Sequence, residues 1–177
     1  ANRHYVKPAL KTEVVAVAQA LAKQNPGMVV TYLDANFPFM DGFPLLPHRS
    51  HSDGRKIDLA FFYQQEGALT SRAPGFLGYG RCAEPKPGET DQPEICANKG
   101  YWQYSVLPKL AAPFVGKKYV LDEQPTRQLV SAFARRKEIG KLFLEPHLKT
   151  RWGLSDYGKI RYHGCGAVRH DDHLHVQ

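Results

Sequence analysis

The sequence has no initiator methionine, no apolar signal core, no internal repeat, few cysteines and a shortage of acid. No apolar run approaches the roughly 20 residues of a membrane-spanning helix, which excludes such a span. The opening Ala-Asn-Arg fits either a trimmed chain or one whose signal peptide has been removed. Without repeats or a long linker, the expectation is a single domain over residues 1–177. A chain of this length buries a hydrophobic core without needing metal or disulfides for folding. Its 42% hydrophobic and 23% charged residues are globular proportions, and 15 Gly with 13 Pro imply many turns.

The 17 acidic residues against 24 basic ones leave a net charge of +7. That favours an anionic partner, whether nucleic acid, acidic lipid or an acidic cell-wall polymer; solubility alone is the bland alternative. Nucleic-acid binding would want basic residues interleaved with stacking aromatics. The clearest basic cluster, Arg135-Arg136-Lys137, instead ends an expected helix and complements its dipole.

The three cysteines are Cys82, Cys96 and Cys165. The first two bracket a polar, Pro-rich segment that cannot order itself by burial, read as an insertion around 82–96. A Cys82–Cys96 disulfide would constrain it, worth roughly 3 kcal/mol in the chain-entropy view, and would imply an oxidising compartment. Two unpaired thiols at the loop base are the alternative. Cys165 is then left as a buried thiol.

Residues 12–24 read as a helix capped by Thr12 and stopped at Asn25-Pro26-Gly27. Pro125 opens a second helix running to about Lys137. Expected strands are Met28–Leu33, Lys56–Tyr63, Leu142–Glu145, Lys159–His163 and His173–Gln177. Residues 67–118 carry little readable pattern. The mixed order predicts an α+β fold with a small central antiparallel sheet flanked by helices and long loops.

The chemistry concentrates in two histidine clusters. One runs from His48 through His51 to Asp58, and the other ends the chain as His170-Asp171-Asp172-His173-Leu174-His175-Val176-Gln177. Imidazole and carboxylate together suit zinc. In an extended segment His173, His175 and Gln177 share one face, leaving Leu174 and Val176 for the core. By the same alternation Asp58, Ala60 and Phe62 oppose Ile57, Leu59 and Phe61. An Asp in so apolar a strand is costly unless a cation compensates it. Neither spacing alone singles out a metal; both in one chain, each on an alternating strand, do.

These two segments resemble the metallopeptidase group of lysostaphin-type peptidases, D-Ala-D-Ala-type peptidases and the hedgehog fold. That group has a Ser-x-His-x6-Asp element early and His-x-His late. The usual serine two before the histidine is not matched, since Ser50 directly precedes His51. The penicillin-insensitive murein endopeptidases are a closer likeness. His48, Ser50, His51, Gly54 and Asp58 match their first motif, and His170, Asp171, His173 and His175 their last. Phe143, Pro146 and Lys149 match a further segment. The residues between match poorly.

The resemblance implies a hedgehog/D-Ala-D-Ala peptidase-like fold and a zinc ion on His51, Asp58 and His175. It implies His173 as general base, with His170 or His48 donating a hydrogen bond to the oxyanion. Asp171 or Asp172 would orient a ligand imidazole, or else simply be solvated. The implied activity is hydrolysis of peptidoglycan peptides, by a DD-endopeptidase or a DD-carboxypeptidase, in a periplasmic or secreted protein. A zinc-containing, non-catalytic hedgehog-like binding domain is the alternative.

Overall fold

The computed structural model describes residues 3–37, 42, 50–70, 72–74, 78–79, 81–111 and 118–177. His48 therefore lies outside the described residues. In chain order the elements are α1 (Pro8–Gln24), β1 (Tyr32–Asp34), β2 (Ile57–Ala60), β3 (Tyr63–Gln65) and β4 (Ala68–Thr70). There follow α2 (Gln92–Asn98), α3 (Trp102–Ser105), α4 (Leu107–Ala111), β5 (Tyr119–Leu121) and α5 (Glu123–Ala134). The chain closes with β6 (Leu142–Phe143), α6 (Pro146–Arg151), β7 (Ile160–Arg161) and β8 (His173–Val176). The fold is α+β. Among the described residues no helix is long and apolar enough to cross a membrane.

The main sheet has five strands in the order β1-β2-β8-β6-β7, and a second sheet has the order β4-β3-β5. The main sheet is not wholly antiparallel, because β6 and β7 run parallel. Parallel neighbours need a crossover, and α6 supplies it. Leu59, Leu142, Leu174 and Val176 from this sheet join Leu10, Val17 and Leu21 of α1 and Leu129, Val130 and Phe133 of α5 in one core. Burying these apolar side chains is the main driving force for docking both helices on the sheet.

Several expected boundaries move. The first helix begins at Pro8, whose fixed φ and missing N–H suit a first turn. Thr12 lies inside it and turns its hydroxyl back to the Pro8 carbonyl at 3.0 Å. The second starts at Glu123, so Pro125 sits within its first turn, and it ends at Ala134. Arg136, just beyond, pairs with the buried Glu13 of α1 rather than merely facing the helix end. Of Met28–Leu33 only the end is strand, since β2 offers just four residues to pair with. The single strand expected over 56–63 divides at Phe61-Phe62: β2 pairs with β8, whereas Tyr63 begins β3 in the other sheet. Phe62 therefore does not continue the face that Asp58 occupies on β2.

The disulfide also differs from expectation. Cys96 pairs with Cys165, their Cα atoms 5.3 Å apart, and Cys82 is the free thiol. Residues 81–83 are pinned elsewhere: Ala83 N–H donates to Asp171 O at 2.7 Å, and Tyr63 Oη donates to Arg81 O at 3.3 Å. Asp91 then caps α2 through Glu94 N–H at 2.8 Å, and that helix carries the fully buried Cys96 to the turn after β7. The polar segment between Cys82 and Cys96 is ordered by charge instead of a local disulfide. Arg151 donates to both Glu89 carboxylate oxygens (2.8 and 2.6 Å) and to the Glu84 carbonyl (2.9 Å). This holds the Glu89 carboxyl down at about 2.

Candidate metal centre

The centre of the main sheet positions the two late histidines against the early aspartate. In the β2–β8 ladder Asp58 lies directly opposite His175 and Ala60 opposite His173. Directly opposed residues of an antiparallel pair project to the same side, so the Asp58 and His175 side chains meet. Leu174 and Val176 alternate away into the core. On the far flank Phe143 of β6 opposes His175 and touches its ring at 5.2 Å.

His51 arrives from the turn before β2. Gly54 makes that turn with φ +73°, and a Cβ there would meet the Lys7 side chain at 3.0 Å, so glycine suits both the backbone and the space. His51 is fully buried, and its Nδ1 lies 3.0 Å from Ala35 O. A carbonyl only accepts, so the ring proton sits on Nδ1 and the Nε2 lone pair faces the centre. That Nε2 lies 3.2 Å from His175 Nδ1 and 3.2 Å from Asp58 Oδ1, and the last two atoms are 2.8 Å apart.

His51, Asp58 and His175 thus form a buried group able to hold a metal ion. Ligand atoms on bonds of about 2.0 Å at tetrahedral angles lie about 3.3 Å apart; two of the three separations match that spacing, and the third, at 2.8 Å, is that of a hydrogen bond. Burial, with His51 and His173 nearby, lowers the His175 pKa despite the Asp58 carboxylate, which favours the neutral imidazole that ligation requires.

Around this triangle stand the other histidines. His173 Nδ1 hydrogen-bonds the Asp172 carboxylate, and its Nε2 is 3.9 Å from Asp58 Oδ2. His170 is buried with its ring centroid 4.9 Å from His173 and 5.8 Å from His175. Burial, reinforced by those two neighbours, pushes its pKa well below the usual imidazole range. Phe143 stacks on His163 at 4.0 Å and leans on His170. Pro146 opens α6, and Lys149 bonds the Ile160 carbonyl at 2.8 Å, so neither reaches the triangle.

The two aspartates part company. Asp172 orients His173, whereas Asp171 accepts from Arg169 Nε at 3.1 and 3.2 Å. Both are buried, so simple surface solvation does not describe either.

Sequence reasoning missed Tyr79 and Glu145. The Tyr79 hydroxyl donates to Asp58 Oδ2 at 2.8 Å, and its ring meets His173 edge to face at 4.9 Å. Burial, then the nearby Asp58 charge, raises the Tyr79 pKa far above its usual value, so it remains a donor. Glu145 accepts from Tyr104 Oη at 2.9 Å and from His170 N–H at 3.2 Å. Burial raises its pKa to about 7. The only advance signal for Glu145 was its place between Phe143 and Pro146; Tyr79 had none.

No protein-family model matches the chain, and no curated protein matches it in sequence.

Proposed function

We propose that this chain is a zinc-dependent peptidase that hydrolyses peptide bonds of peptidoglycan, of DD-endopeptidase or DD-carboxypeptidase type. One observation carries the reading: three buried ligand atoms converge, and a carboxylate-oriented histidine stands beside them on the same strand face. The motif likeness to murein endopeptidases supplies the substrate, and with it a hedgehog/D-Ala-D-Ala peptidase-like fold. The Cys96–Cys165 disulfide supports a periplasmic or secreted setting.

His51, Asp58 and His175 would hold the zinc. The ion supplies Lewis acidity, polarising a carbonyl and bringing water's ionisation close to neutral pH. The remaining chemistry belongs to the chain. Asp172 keeps the His173 proton on Nδ1, which leaves the Nε2 lone pair to accept a proton from the attacking water. The same carboxylate stabilises the imidazolium that results, and His173 then returns the proton to the leaving amine. His170, neutral and buried, can donate a hydrogen bond to the developing oxyanion.

The test is metal analysis of the purified protein together with hydrolysis of crosslinked muropeptides, with and without a chelator. Stoichiometric zinc and chelator-sensitive cleavage are expected. Zinc without cleavage would identify a non-catalytic binding domain, and neither would dismiss the reading.

A further inference from the structure

We infer that Tyr79 is a positioning residue of the metal centre, reserving one oxygen of Asp58 so that the carboxylate ligates through the other alone. The inference rests on the metal-site reading above. Asp58 divides its oxygens: Oδ1 faces His51 Nε2 at 3.2 Å and His175 Nδ1 at 2.8 Å, whereas Oδ2 accepts the Tyr79 hydroxyl at 2.8 Å. A donor committed to one carboxylate oxygen opposes two-oxygen ligation, and partners behind a ligand commonly set metal affinity.

The backbone that brings Tyr79 here is constrained. Gly78 has φ +82°, which glycine adopts without strain, and a Cβ there would have to displace the Leu33 side chain, whose Cδ2 would lie 2.2 Å away. The adjacent tyrosine lies against Asp58 on one side and the His173 ring, 4.9 Å away, on the other. A single residue touches a ligand and the candidate base at once.

The test uses Y79F, which removes the hydroxyl and leaves the ring against His173. Metal-free protein is titrated with zinc against a chromophoric chelator, and with cobalt(II) while visible absorption is recorded. Y79F should bind zinc about 10- to 100-fold more weakly. Its cobalt spectrum should lose intensity, as expected when the carboxylate turns to two-oxygen ligation and the coordination number rises. Y79H, which restores a ring-borne donor, should fall between wild type and Y79F, and Y157F, remote from the centre, should match wild type. Zinc affinity of Y79F within twofold of wild type, with an unchanged cobalt spectrum, would overturn the inference while leaving the metal site standing. Wild-type protein that takes up neither ion would overturn both.

Discussion

Two buried polar clusters stand side by side in this molecule, and residues 169–175 contribute to both. In one, Asp171 is neutralised by the chain itself: Arg169 donates to it and reaches Glu84 at 2.9 Å. In the other, Asp58 faces the imidazoles of His51, His173 and His175 and accepts the Tyr79 hydroxyl. Burial disfavours the cationic form of His175, so this second cluster gathers lone pairs where the first supplies a guanidinium. A buried carboxylate needs compensation in either case. The difference shows two ways of compensating a buried carboxylate, by a guanidinium at Asp171 and by converging imidazoles at Asp58.

The largest effects are expected at the triangle. H51A, D58A or H175A should each weaken zinc binding by more than the roughly 100-fold that loss of a supporting hydrogen bond costs, and abolish hydrolysis; chelator competition reads the first effect. H173A should lower turnover by about 10²- to 10⁴-fold, the usual share of a general acid–base group, while retaining zinc. Loss of the metal in H173A would remove His173 from its proposed role.

On the other side, R169M leaves Asp171 buried without its cation. Urea unfolding should report a loss of about 3–5 kcal/mol, with zinc affinity largely kept. A drop in zinc affinity as large as that of H175A would mean that the two clusters are one unit.

The smallest effect concerns Glu145. Its folded pKa of about 7 lies above the ordinary 4.5, so the native state holds a proton that the unfolded chain gives up. Stability therefore falls as pH rises from about 4.5 to 7 and levels off above, by up to about 3 kcal/mol. E145Q keeps an oxygen acceptor without the charge and should lose that slope. A wild-type profile in E145Q would assign the slope elsewhere.

The site was more legible than the chain around it, for a physical reason. The alternation of His173 and His175 with Leu174 and Val176 is a period-2 signal contained in four residues. It survives because β8 is central and buried on both faces. The Cys96–Cys165 pairing spans 69 residues and depends on where capped α2 docks, which no local pattern encodes. The parallel β6–β7 pair was hidden for a similar reason, since two-residue strands leave no period to read. Tyr79 and Asp58 meet across 21 positions, and Tyr104 and Glu145 across 41. Such contacts are set by packing. The division of residues 56–63 between two sheets is likewise decided by the partner strands.

Anomalous diffraction at the zinc edge, from crystals grown with equimolar zinc, tests the central claim most directly. One strong peak is expected within bonding distance of His51 Nε2, Asp58 Oδ1 and His175 Nδ1. No peak there, or a peak held by other residues, would contradict it.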